Sequence, residues 1–295
     1  MNIDYDFLKS KARERQYMRV NKFSFRKLII HAILIIWCTS IGMLLYFMIT
    51  SSFKTNKTVF KQLWALPEKL SIVNFAKAWS NLNFGRYTFN SVFVVIISVI
   101  LIIVISAPAS YALTRMKMRF AQPMTFFYLA GMGIPIQLLF IPLFKIMASL
   151  NLVNTLPGLI IVYTALSIPF TVFLLTGFFI SIPSELEDAA FIDGCNEFQA
   201  FFKVMVPMAT PGIVTAAIFN FIGLWNEYML ALVFITGNEN KTLSLGLYSL
   251  YSSLQYTSDW VSIFAGSVLV IIPTAIIFII LSEKLISGIT MGAIK

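Results

Sequence analysis

Six stretches of this sequence are too long and too apolar to lie comfortably anywhere but in a bilayer: residues 28–50, 90–113, 123–144, 156–180, 210–236 and 261–285. Crossing a hydrocarbon core of about 30 Å takes about 20 helical residues, and each stretch reaches that length. Inside lipid no water satisfies the backbone, so a spanning segment must bond its own N–H and C=O groups. Runs of this length do so as helices. The expected fold class is therefore an all-α integral membrane protein with six transmembrane helices. The composition, 58% hydrophobic and 12% charged, extends that reading to the whole chain of 295 residues, since soluble domains carry about 25% charged residues. Pro135 and Pro142 interrupt the third stretch, and neighbouring helices are expected to satisfy the carbonyls they free.

The formal net charge of +9 is explained by topology and requires no nucleic acid. Residues 1–27 hold eight Lys/Arg and no cleavage-site pattern, and are read as a retained basic segment. Six crossings put both termini and the loop after the fourth span on one side. Fourteen Lys/Arg fall on that side and eight on the other, which makes it cytoplasmic. One histidine, His31, and two cysteines, Cys38 and Cys195, exclude a His-based metal site, a catalytic His dyad and a disulfide framework. No G-x-x-x-x-G-K-[ST] run occurs, so no P-loop on this chain cradles ATP.

The loop 181–211 is the one long polar interruption of the C-terminal two-thirds, with five acids and one lysine. Ser184 and Glu187 are spaced as a capping box, and Asp193-Gly194 as a helix stop in which Gly194 takes positive φ. Asn196 and Gln199 repeat the box. Phe198, Phe201, Phe202 and Met205 then fall on one helical face, and Pro207 is expected to end the second helix. The result is a helix–turn–helix. Its acids are not explained by orientation, to which acids contribute little, but by a basic partner.

This loop resembles the EAA loop of binding-protein-dependent ABC importer permeases, whose pattern is Glu-Ala-Ala, Gly after three residues, and Ile-x-Leu-Pro after nine more. Here it reads Asp188-Ala189-Ala190, Gly194 and Val204-Met205-Val206-Pro207, with the spacing kept and three conservative departures. Further stretches are similar to the carbohydrate branch, in particular to the second permease subunit of maltose-type importers. They are Tyr87–Ser91, Ala109–Leu113, Ile141–Leu143, Gly223–Glu227, Thr242–Leu247 and Gly288–Lys295, so the likeness covers about residues 84–295. The resemblance implies a type I ABC importer permease in a prokaryotic plasma membrane, a non-catalytic subunit for carbohydrate import. Implied partners are a second related permease, two copies of an ABC ATPase that carries the ATP and Mg, and an extracytoplasmic solute-binding protein. The loop would be the coupling element, with Glu187, Asp188, Ala189, Ala190, Asp193, Gly194 and Pro207 as its functional residues. The chain then divides into a basic cytoplasmic segment (1–27), a first span with its extracytoplasmic connection (28–83), a transmembrane core (84–285) and a cytoplasmic tail (286–295).

Glu227 is the leading solute-path candidate, because an ionised carboxylate in a span faces a cavity or a partner. Trp225 and Asn226 beside it would add a stacking face and an amide, and a structural anchor is the alternative for Glu227. Asn90 is read as a helix-start cap, with a path amide as its alternative. An ion-coupled carrier or an importer of a non-sugar solute are the rival functions. The former lacks the internal repeat it would need.

Overall fold

The computed structural model describes residues 25–116 and 118–293. Most of the basic N-terminal segment, Lys117 and the last two residues of the expected tail lie outside the described residues. Among the described residues, five helices are long and apolar enough to cross a membrane, and a bent pair makes six when counted as one span. In chain order, α1 is Phe25–Ser52, followed by the short α2 (Asn56–Val59) and α3 (Val73–Ala76), which runs into a π turn at Lys77–Asn81. Next come α4 (Phe84–Arg115), α5 (Ala121–Met132), α6 (Phe140–Ser149) and α7 (Leu156–Ser181). The hairpin region holds α8 (Ser184–Ile192) and α9 (Glu197–Ala200), and α10 spans Val206–Asn226. Beyond it are α11 (Met229–Phe234), α12 (Leu243–Ser252), α13 (Leu254–Thr257) and α14 (Trp260–Ala293), the last running through much of the segment expected as a tail.

The third crossing departs from a simple span. Ala121–Met132 and Ile136–Ser149 meet at 95°. Pro135 lacks an N–H and forces Ile134 out of the helical region, so the break falls between Gly133 and Pro135.

The long helix of the fifth crossing starts and stops earlier than expected, and the short α11 follows it. Instead of starting near residue 210 and ending near 236, the helical rod runs from Glu197 to Asn226 and stops there. Pro207 therefore does not end a helix. A π turn at Phe201–Met205 widens the backbone just before it, with the Val206 N–H reaching the Phe201 carbonyl, and Pro207 enters α10 in its first turn, where a missing N–H costs little.

α4 and α7 form the most extensive helix pair. Where they cross, the Ser110 hydroxyl donates to Val172 O at 3.1 Å, and the Asn220 amide joins α10 to Thr171 of α7 at 2.9 Å. At Gly212 a Cβ would lie 2.3 Å from the Phe178 ring, so glycine sets how closely α10 approaches α7. One apolar core gathers Tyr163, Phe84, Phe234, Leu243 and Leu245, and a second gathers Tyr111, Leu175, Phe179, Phe201 and Met205. The second core lies under the hairpin.

Candidate functional site

The hairpin begins differently from its sequence pattern. Pro183 holds the N-cap position, and Ser184 is already the first residue of α8, so the Ser184–Glu187 capping box does not form. The Glu187 carboxylate instead turns inward and is buried. Its Oε1 accepts the Tyr111 hydroxyl at 2.5 Å, and its Oε2 lies 3.9 Å from Arg115 Nε. Arg115 in turn donates to the carbonyls of Phe179, at 2.5 Å, and Ile182. A buried carboxylate is stable only when paired and hydrogen-bonded, and the end of α4 supplies both.

The turn follows expectation. Gly194 has φ +83°, the Cys195 N–H reaches Ala190 O at 2.9 Å, and the Gly194 N–H reaches Phe191 O at 3.1 Å, a Schellman ending. Asn196 Oδ1 accepts from the Gln199 N–H at 2.9 Å, and Gln199 Oε1 accepts from the Asn196 N–H at 3.1 Å, closing the second capping box. Asp188, Ala189, Asp193, Gly194 and Pro207 are exposed, whereas Ala190 is buried. The four apolar residues expected on one face of the second helix are split: Phe201 and Met205 are buried, while Phe198 and Phe202 are exposed with ring centroids 4.6 Å apart.

Trp225, Asn226 and Glu227 share no single site. Trp225 is 2% exposed, its Nε1–H donates to Val270 O at 2.9 Å, and it stacks on Phe221. It therefore offers no face to a solute. Asn226 lines a cavity of about 470 Å³ with Tyr228, Tyr248 and Tyr251. Glu227 lines a separate cavity of about 280 Å³ with Tyr163, Ser167 and Asn220. Its Oε2 accepts the Tyr163 hydroxyl at 2.6 Å, and its Oε1 accepts the Leu230 N–H at 2.6 Å. The carboxylate thus caps α11 while bordering the cavity. Asn90 lies inside α4 and does not cap it. Its Nδ2 donates to the carbonyls of Glu239 and Lys241, each at 2.9 Å.

Sequence reasoning missed Tyr111, Arg115, Tyr163 and Asn220. Each is a polar side chain in or ending an apolar run, which is the signal that could have marked them.

Apolar crossings packed around largely apolar cavities that each hold a few polar groups, with one structured polar hairpin at one end, define an α-helical membrane protein. Residues 107–289 match the binding-protein-dependent transport system inner membrane component family, and the chain belongs to it. It is 35% identical over 265 residues to the diacetylchitobiose uptake system permease protein NgcG of Streptomyces coelicolor, covering 90% of this chain and 88% of the relative. It is 38% identical over 246 residues to the sulfoquinovosyl glycerol transport system permease protein SmoH of Agrobacterium fabrum, covering 83% and 86%. Its fold matches a chain from the crystal structure of a bacterial ABC transporter involved in the import of the acidic polysaccharide alginate. The TM-score is 0.75 at 23% identity, over 89% of this chain and 98% of that one. Family membership sets aside the ion-coupled carrier.

Proposed function

We propose that this chain is a permease subunit of an ATP-driven, binding-protein-dependent importer of a carbohydrate, forming half of the translocation path. The observation that carries the solute class is similarity at 35–38% identity, over most of the chain, to permeases named for saccharide-containing solutes. The other half of the path belongs to a second, related permease. Two copies of an ABC ATPase hold the ATP and Mg, and a solute-binding protein delivers the sugar from outside. The hairpin end of the bundle is cytoplasmic, as are both termini.

Coupling is assigned to the 181–211 hairpin. Asp188 and Asp193 offer exposed carboxylates to basic or N–H groups of the ATPase, and Ala189 leaves room for close approach. Gly194 sets the turn between the two helices. Glu187 acts from behind: held by Tyr111 and Arg115, it ties the hairpin to α4, so that a displacement of the hairpin is a displacement of the span. Glu227 and the cavity it borders belong to the solute path.

The test is co-purification of the ATPase with tagged permease, alongside uptake. Gly194→Val places a β-branched side chain at positive φ, at a cost of at least about 1–2 kcal/mol. Asp188→Lys reverses an exposed charge. Both variants are expected to insert and to keep the partner permease, yet lose the ATPase or its solute-stimulated hydrolysis. If both retain the ATPase and transport normally, the hairpin is not the coupling element. An importer that takes up amino acids or peptides and no saccharide would remove the carbohydrate assignment.

A further inference from the structure

The cavity of about 470 Å³ lies among the end of α10, the turn into α11, α12 and the first three turns of α14. Its floor is set by Asn226 and Val270, at the level where the Trp225 Nε1–H fixes α10 to the Val270 carbonyl at 2.9 Å. Val270 lies ten residues into α14, or about 15 Å at 1.5 Å per residue. The apolar stretch Trp260–Leu281 has 22 residues, so the floor lies near mid-membrane. Tyr251, 61% exposed, stands near the end of α12 towards the opposite face from the hairpin. The cavity therefore descends from that face to about half depth.

Its lining does not suit hydrocarbon. Leu247, Ile263 and Val270 supply an apolar wall, but the exposed Asn226 amide near mid-depth would be costly against lipid, and with Ser267 and three phenols beside it the surface suits water or solute in the assembled protein. Tyr228 and Tyr248 stack with ring centroids 5.0 Å apart and planes 24° from parallel, and each remains 37% exposed. The stacked pair presents an outer aromatic face. The Asn226 Nδ2 gives one N–H to Ile222 O at 2.8 Å, which leaves Oδ1 and the second N–H for a ligand. The Ser244 hydroxyl is committed to Trp225 O at 2.6 Å and holds α12 against α10. Ring C–H faces of a pyranose are apolar and pack on aromatic faces, while its hydroxyls bond to amide and phenol oxygens.

We propose that this cavity docks a pyranose ring of the incoming carbohydrate, with its C–H face on the outer face of the Tyr228–Tyr248 pair and its hydroxyls on the Asn226 amide and Tyr251. The site is separate from the Glu227 cavity, and it rests on the carbohydrate reading and on the hairpin end being cytoplasmic.

The test uses the complete importer with its partner permease, ATPase and binding protein in proteoliposomes. Ile263→Cys, on the cavity wall, is introduced after Cys38 and Cys195 are replaced by serine, and is labelled from outside with an impermeant maleimide. Maltose, cellobiose and N,N′-diacetylchitobiose are the probes, with sorbitol as an acyclic polyol. At least one disaccharide is expected to slow labelling, sorbitol to have no effect, and added Tyr248→Ala to abolish the protection. In uptake, Tyr248→Ala is expected to raise the half-saturating concentration up to about tenfold, and Tyr248→Phe much less. Tyr256→Ala, removing an exposed tyrosine of α13 outside the cavity, is the matched control. An Ile263→Cys importer that never labels means that protein or lipid fills the cavity, and overturns the site. Labelling without protection, in an importer that takes up one of these sugars, overturns the site and leaves the carbohydrate reading standing. Uptake of some other solute class alone removes both.

Discussion

The two ends of this bundle are held together by different means. Under the hairpin, charged side chains are buried and joined across elements: Glu187 of α8 to Tyr111 and Arg115 of α4, and Arg115 to the last turn of α7 and beyond. At the opposite end, asparagine side chains clamp backbone. Asn154 Oδ1 accepts the N–H groups of Thr236 and Gly237 at 3.1 and 2.7 Å, and Asn90 holds the carbonyls of Glu239 and Lys241. Neutral amide clamps shape the loops there, and the ion pair of that end, Lys77 to Asp259, ties the π turn to the start of α14 rather than to a hairpin. A buried ionic node binds one helix to another side chain to side chain. The first arrangement suits an end that receives a solute, the second an end that transmits displacement.

The sharpest way to break this contrast is at Glu187. Glu187→Ala leaves Arg115 and the Tyr111 hydroxyl buried without their partner, and is expected to cost about 3–5 kcal/mol of stability at the hairpin end. Thermal unfolding of the purified complex and protease access to residues 181–205 would report it. Tyr111→Phe should cost less, about 1–3 kcal/mol, because Arg115 stays near the carboxylate. The two substitutions should be non-additive in a double-mutant cycle. A neutral Glu187→Ala would mean that the node does not bear on the hairpin.

Next in size is Asn154, whose φ of +58° and side-chain clamp can be separated. Asn154→Gly keeps the backbone and removes the clamp; Asn154→Ala adds about 1–2 kcal/mol of left-handed strain. Both should speed amide exchange at Thr236 and Gly237 and leave ATPase co-purification unchanged. A loss of the ATPase would show that the two ends are not mechanically separate.

The smallest effect is pH-dependent. Burial pushes the Asp259 carboxyl up, but hydrogen bonds from Lys77, Ser262 and Asn56 outweigh it and hold the group below its usual range. Lys77 Nζ lies 2.5 Å from Asp259 Oδ2. A depressed folded value means that the contribution is complete above the unfolded value of about 3.9 and fades as pH falls below it. Exchange of the Val261 amide, held by Asn56 Oδ1 at 3.1 Å, should therefore show no clasp-dependent change between pH 7 and 5 and a small loss of protection below 4.

The presence of the crossings was legible because apolar length alone identifies a span, though not the break in the third or the bounds of the fifth, and Gly194 and the Asn196–Gln199 box because their signals are local. What sequence periodicity could not supply was direction. Glu187 and Asp188 are neighbours on one helix, yet one faces Tyr111 and the other solvent, and only the position of α4 decides which. The same holds for Trp225, Asn226 and Glu227, three consecutive residues in three surroundings. Pro207 misled because the rule against proline in helices assumes an unwidened turn before it, and the π turn at Phe201–Met205 removes that premise.

The rod Glu197–Asn226, 30 residues without a stop, starts in the hairpin and ends between the two cavities. At 1.5 Å per residue it is about 45 Å long, so a tilt of about 10° pivoting at the hairpin would carry its far end about 8 Å. That is more than the thickness of a sugar ring. A single lever arm thus joins the place where the ATPase would push to the place where a solute would pass, and small angles at one end become gate-sized distances at the other.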